Sequence, residues 1–106
     1  MNIFDFMKDI NDYESRKVGR WEEGEKMVST VIVSDGAKPF ETAISHPGYN
    51  NGKWIIVASY DDLEAAKVGH EKWVKMVIED CLPNKLVDVH NSWISQMMDD
   101  EEFERN

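Results

Sequence analysis

The chain has 106 residues, with 12 Lys and Arg side chains against 21 Asp and Glu side chains, so its formal net charge is -9. This length fits one domain, and the negative charge disfavours direct binding to nucleic-acid phosphates or to anionic membranes. The lone Cys81 cannot form an internal disulfide, and the longest apolar run, Trp54 to Ala58, is too short to span a membrane. With Asp5 and Asp9 where a signal peptide would be basic and then apolar, we expect an intracellular protein.

The first 26 residues divide into a predicted helix and a predicted connector. In residues 1 to 13, Ile3, Phe4, Met7 and Ile10 recur at helical spacing, which predicts a short amphipathic N-terminal helix. Residues 14 to 26 contain many charges, two glycines and no clean period, so we expect a connector there.

Residues 27 to 60 predict an antiparallel meander of three strands. The strands cover residues 27–34, 40–46 and 53–60, and Asn51-Gly52 in the second turn favours positive φ. The third strand is apolar on both predicted faces, whereas the following helix can cover only one. The terminal helices or another protein chain should therefore cover the second face. One predicted face holds Trp54, Ile56, Ala58 and Tyr60, and the other holds Ile55, Val57 and Ser59.

Residues 61 to 82 predict the main helix, capped by Asp61 or Asp62 and ended by Leu82-Pro83. A last helix is predicted over residues 88 to 98, followed by an acidic tail, residues 99 to 106, that should be frayed or disordered. The expected fold is one α+β domain: a three-stranded meander packed by a long helix, with a helix at each end. The predicted apolar stripe of the main helix consists of Leu63, Ala66, His70, Trp73, Val74, Val77 and Cys81.

No catalytic, cofactor or metal site is predicted. His70-Glu71 lacks the second histidine of a zinc-protease helix, because Val74 occupies that position. Cys81 lies eleven residues from His70, about 16 Å along a helix, which is too far for a nucleophile and its base. We therefore expect Gly69 to allow close helix–sheet packing and His70 to make a hydrogen bond beside it.

The C-terminal residues are the predicted partner-binding surface. Tryptophan and methionine are enriched at interfaces, although they can equally fill a small core. An apolar group beside a run of acids favours a homo-oligomer or a docking partner. The residues concerned are Trp93, Met97, Met98 and Phe103, together with Asp99, Asp100, Glu101 and Glu102.

Several short motifs resemble those of small, uncharacterised proteins of tailed bacteriophages. They are a Lys-Pro-aromatic-Glu-Thr strand entry at 38–42, a His-Pro-x-Tyr-Asn turn at 46–50, Tyr60-Asp61 at a strand end and Gly-His-x-x-Trp-Val at 69–74. The resemblance continues through residues 82–89 and covers the region from about 27 to 89. It implies expression in the host bacterial cytoplasm, with or without incorporation into the virion, and carries no reaction or binding site across.

Two functions, both non-enzymatic, follow from that resemblance. The first is a small virion-associated or assembly component that docks on another phage protein through protein–protein contacts. The second is an inhibitor of a host or anti-phage defence enzyme, in which the charge of -9 imitates DNA. The first function depends on apolar anchors such as Trp93 and Phe103, whereas the second depends on the acids at 99–102.

Overall fold

A computed structural model describes residues 17–34, 36–89 and 101–106. A four-stranded antiparallel sheet, with its strands in chain order, packs against one main helix, and two further strands pair separately. The α+β class is therefore confirmed, but the meander has four strands instead of three. The elements are β1 (Lys17–Glu23), β2 (Lys26–Ile32), β3 (Phe40–Ser45), a 3-10 turn (Asn50–Gly52), β4 (Ile55–Tyr60), α1 (Leu63–Ile78), β5 (Lys85–Asp88) and β6 (Glu101–Glu104).

The additional strand, β1, lies within the segment predicted to be a connector. It forms a hairpin with β2 through a turn in which Gly24 has a φ of 60°. The pairing passes from Lys17 to Gly19, so Val18 is an extra residue, a β-bulge. This bulge interrupts the two-residue alternation on which strand prediction depends. Trp21 then points inward and packs against the core.

A second bulge lies in β4 and reverses the faces predicted for its second half. Thr42 pairs with Ala58, but the next residue of β3, Ala43, pairs with Ile56, so Val57 has no partner. Ile55 therefore faces inward before the bulge, and the alternation is shifted by one residue after it. The prediction that Trp54 and Tyr60 share a face is wrong for this reason.

The start of α1 was predicted and its end was not. Asp62 caps the helix, its carboxylate accepting a hydrogen bond from the Ala65 N–H at 2.8 Å. The helix ends at Ile78, four residues before Leu82, because Asp80 has a left-handed φ of 51°. The Cys81 N–H donates to the Met76 carbonyl at 2.9 Å, the bond that closes a Schellman turn. Within the described parts of the chain, no helix is long and apolar enough to cross a membrane.

The core lies between α1 and the inward face of the sheet. Ala66, Gly69 and Val77 are the buried residues of α1. Leu63 and Cys81 were predicted to lie on the buried stripe of the helix. Leu63 is 42% exposed and Cys81 is also exposed, so this part of the prediction is wrong. The core cluster consists of Val28, Ile44, Tyr49, Ile55, Val57, Val77, Leu82 and Leu86, with Trp21, Trp73, Val74, Met76 and Phe103 packed against it.

The last six residues form ordered structure, contrary to the prediction of a disordered tail. Glu101–Glu104 is a strand that pairs with β5 and sets Phe103 opposite the buried Leu86. Asp88 belongs to β5, so the predicted C-terminal helix does not begin there. The remainder of that helix and the predicted N-terminal helix of residues 1 to 13 lie outside the described residues.

Candidate functional site

Four polar side chains meet between α1 and the sheet. Thr30 and Thr42, both fully buried, are opposite each other on β2 and β3, and their Oγ1 atoms are 2.6 Å apart. The Thr30 Oγ1 also lies 2.7 Å from Nδ1 of His70, and the Thr42 Oγ1 lies 3.0 Å from the Tyr60 hydroxyl. These hydroxyls and the imidazole thus make one continuous hydrogen-bonded row across the helix–sheet contact.

Two glycines make room for this row. A Cβ added at Gly69 would overlap the ring and hydroxyl of Tyr60, so only glycine lets α1 approach the sheet here. A Cβ added at Gly19 would lie 2.7 Å from Nε2 of His70. The predicted packing role of Gly69 and the predicted hydrogen bond of His70 are both confirmed.

Burial governs the titration of the two ionisable members of the row. Desolvation lowers the pKa of His70, although the neighbouring Glu71 carboxylate raises it to a smaller extent. Desolvation also raises the pKa of Tyr60, whereas the Thr42 hydroxyl and the Trp73 indole lower it to a smaller extent. Both side chains are therefore held in their neutral forms at neutral pH.

A second polar cluster joins the turn after β3 to the end of the chain. The Gly48 N–H donates to Nδ1 of His46 at 2.9 Å, and Arg105 forms a 2.7 Å ion pair with Asp80. The Tyr49 hydroxyl donates to the Pro83 carbonyl at 2.5 Å. Burial, with a smaller contribution from nearby cations, lowers the pKa of His46. The Asn106 N–H also donates to the Gly48 carbonyl at 2.8 Å, which holds the turn and the C-terminal residues together.

Among residues 17–34, 36–89 and 101–106, no three His, Cys, Asp or Glu side chains lie close enough together to hold a metal ion. His46 and His70 belong to the two different clusters described above, and His90 lies outside the described residues.

The face of the sheet opposite α1 carries a shallow depression. Because Val28 and Thr30 point inward, the alternation of β2 places Ser29 and Val31 on this outer face. Trp54 precedes the inward-facing Ile55, lines the depression and is 45% exposed. We call this surface the outer face; its depression is lined by Arg20, Ser29, Val31, Val33, Glu41, Ala43 and Trp54.

Some of the predicted partner-binding residues lie within the described part of the chain and others lie outside it. Phe103 is half-buried and packs against the core of its own chain, and Glu101 and Glu102 belong to β6. The Lys85 ammonium lies 2.9 Å from the Glu102 carboxylate, which raises the pKa of Lys85. Trp93, Met97, Met98, Asp99 and Asp100 lie outside the described residues.

The sequence predicts that the terminal helices or another protein chain cover the second face of the sheet, but it assigns the wrong residues to that face in the second half of β4. The sequence pattern places Trp54 among apolar neighbours on a largely buried face that also holds Tyr60. The bulge at Val57 puts these two side chains on opposite faces of the sheet. A usable signal was nevertheless present, since Ser29, Val31 and Val33 alternate with the inward residues of β2.

Comparison with known proteins finds no matching family model, no matching curated protein and no matching solved structure.

Proposed function

We propose that the protein acts without catalysis, through protein–protein contacts, as a small virion-associated or assembly component of a tailed bacteriophage. The observation that carries the proposal is the outer face, where Trp54 stands 45% exposed beside Val31 and Ala43. Tryptophan is the residue type most enriched among those that dominate binding energy at protein interfaces. An exposed tryptophan next to a depression with both apolar and polar side chains therefore favours docking.

The size of the outer face favours one helix of a partner as its occupant. Four strands spaced about 4.8 Å apart and about 20 Å long present roughly 400 Å². A stable interface between two folded proteins buries about 800 Å² on each partner. The outer face alone is thus too small for a dimer with a second copy, but it suits an amphipathic helix laid across the strands.

The net charge of the chain favours a partner of opposite charge. The chain's net charge is -9, so a second copy would be repelled at long range, whereas a basic partner would be attracted. We therefore propose a partner helix with an apolar face and flanking Lys or Arg residues. The phage assignment, with action in the host cytoplasm or the virion, depends on the resemblance of residues 27 to 89 to small phage proteins.

Inhibition of a host or defence enzyme by DNA mimicry is the second candidate. The ordering of Glu101–Glu104 in β6 favours it, because carboxylates already held in a strand lose less conformational freedom on binding. Against it, Glu102 is paired with Lys85, which offsets part of the negative charge. We therefore rank this candidate below the docking function.

The docking function is tested by capture from phage-infected cells. Tagged wild type, Trp54→Ala and Val68→Ala are compared under mild salt; Val68 is 67% exposed on α1 and serves as the matched surface control. We expect capsid, neck or tail proteins with wild type and with Val68→Ala. With Trp54→Ala they should be lost by roughly 30-fold, the effect of removing about 2 kcal/mol of binding energy. Unchanged melting temperatures establish that all variants are folded.

The outcomes separate the two candidates. Equal capture of phage structural proteins by Trp54→Ala would contradict docking through the outer face. Capture of one host or defence enzyme, weakened by salt and lost after Glu101→Gln and Glu102→Gln, would instead support mimicry.

A further inference from the structure

The hydrogen bond between His46 and the turn that follows it can run in one direction only. The Gly48 backbone N–H donates to Nδ1 of His46 over 2.9 Å, and a backbone N–H cannot accept. The neutral imidazole must therefore carry its proton on Nε2. His46 is 5% exposed, so water has little access to replace this hydrogen bond.

The same turn holds the last residue of the chain, Asn106, by two hydrogen bonds. The Asn106 backbone N–H donates to the Gly48 carbonyl over 2.8 Å, and its side-chain amide donates to the Pro47 carbonyl over 3.3 Å. The Pro47 carbonyl and the Gly48 N–H belong to one planar peptide group, so they can only move together. The peptide that donates to His46 is therefore the peptide that accepts from Asn106.

Charged groups from three parts of the chain act on His46. Lys26 of β2 and Arg105, which follows β6, disfavour its protonation, whereas Asp80, in the turn after α1, favours it. The ring of Tyr49 lies edge-on to the imidazole, with the ring centres 5.2 Å apart. Burial is the largest influence, and together with the two cations it lowers the pKa of His46. The imidazole is therefore neutral at neutral pH.

A proton on Nδ1 sets two donors against each other. The Nδ1–H of His46 and the Gly48 N–H would lie 2.9 Å apart with no acceptor between them. Because a buried donor without an acceptor opposes the folded arrangement, the Gly48 N–H must turn away. The Pro47 carbonyl turns with it, which breaks the side-chain hydrogen bond of Asn106. The new positive charge also repels the Arg105 guanidinium.

We propose that His46 is a proton-sensitive switch, which holds Arg105 and Asn106 on the turn at 46–49 while the imidazole is neutral and loosens them when Nδ1 is protonated. The change is confined to these two residues, because β6 stays paired with β5 and Phe103 stays packed against the core. The Arg105 guanidinium lies over the Tyr49 ring, 5.9 Å from its centre. Loosening therefore uncovers an aromatic side chain that is fully buried at neutral pH.

The expected pH dependence follows from the lowered pKa of His46. The unfolded chain binds this proton near pH 6.5, whereas the folded chain binds it only at lower pH. The stabilising contribution of the switch is therefore complete above about pH 6.5 and is lost as the pH falls through the folded pKa. His70, whose pKa is also lowered by burial, has the same sign, so the test must resolve individual residues.

Long-range 1H–15N NMR spectra of the full chain, from neutral pH to the acid limit of the folded state, provide that resolution. At neutral pH we expect His46 as the Nε2–H tautomer. As His46 titrates, the backbone N–H signals of Gly48 and Asn106 should shift with the same midpoint. In His46→Asn the side-chain oxygen still accepts from Gly48 but does not titrate, so this midpoint should be lost. In the matched control His70→Asn it should persist.

Four results would overturn the switch. Two of them concern the wild-type imidazole: an Nδ1–H tautomer at neutral pH, or a His46 that stays neutral until the whole chain unfolds. The third is a wild-type Asn106 signal that keeps its position while His46 titrates. The fourth is a His46→Asn protein in which the Asn106 signal shifts with the wild-type midpoint. Should His46→Asn fail to fold, the three wild-type measurements decide without it.

Discussion

Gly69 is a residue at which α1 approaches the sheet closely, because a Cβ there would overlap the Tyr60 ring. Replacing Gly69 by alanine should lower the free energy of unfolding by about 1–3 kcal/mol, since the added methyl overlaps the Tyr60 ring. This loss is the net change, after the gain of about 1 kcal/mol in helix propensity is subtracted. Denaturant unfolding measures the net effect.

Val68→Ala is the control for Gly69→Ala, because Val68 precedes it in α1 and is 67% exposed. A change within about 0.5 kcal/mol is expected there, as for most surface substitutions. If Gly69→Ala were as stable as wild type or more so, helix propensity would outweigh the contact, and the packing argument for this glycine would fail.

The start of α1 depends on the carboxylate of Asp62. Asp62→Ala should lower the free energy of unfolding by about 1 kcal/mol, because the Ala65 N–H loses the acceptor that now lies 2.8 Å away. Asp61→Ala is a closely matched control, since Asp61 forms an exposed 3.8 Å pair with Lys38, and its removal should change stability by about 0.5 kcal/mol or less. Equal effects of the two substitutions would show that Asp62 does not cap the helix.

Elements with a regular period and ordinary turn chemistry could be predicted from the sequence. The β-branched residues of β2, the positive φ of 53° at Asn51 and the cap at Asp62 all follow from local preferences. β1 could not be recognised, because after Gly19 its only apolar side chain is Trp21, which lies among charged residues, and because its pairing with β2 is tertiary. The end of α1 depends on Asp80 adopting φ of 51°, where glycine is the usual residue.

The outer face and the polar row could be predicted only in part, for the same physical reason. His70 and Gly69 were identified as packing residues from their place on the helix. The contact of Gly69 with Tyr60 depends on the strand register, which the bulge at Val57 shifts by one residue. A sequence pattern that assumes unbroken alternation cannot place Tyr60 against α1.

At the scale of the whole molecule, the C-terminal residues connect distant parts of the fold. The Arg105 N–H donates to the Asn84 carbonyl over 2.7 Å, and the Asn106 N–H donates to the Gly48 carbonyl over 2.8 Å. Phe103 packs against the core, and its strand β6 pairs with β5. The acidic composition of the C-terminal residues predicted disorder. The packing of Phe103 and the backbone pairing of β6 with β5 nevertheless order residues 101 to 104.

Phe103 therefore has two competing interpretations, an anchor for a partner or a part of the chain's own core. Phe103→Ala should lower the free energy of unfolding by about 1–3 kcal/mol, less than for a fully buried phenylalanine, because the side chain is half-buried. Glu104→Ala is the control, since it changes the next residue of β6, whose side chain is exposed. A partner anchor would instead leave thermal and denaturant unfolding unchanged while weakening capture of the partner. Because loss of stability also reduces capture, unfolding must be measured first: an unchanged midpoint in Phe103→Ala would return this residue to the binding surface.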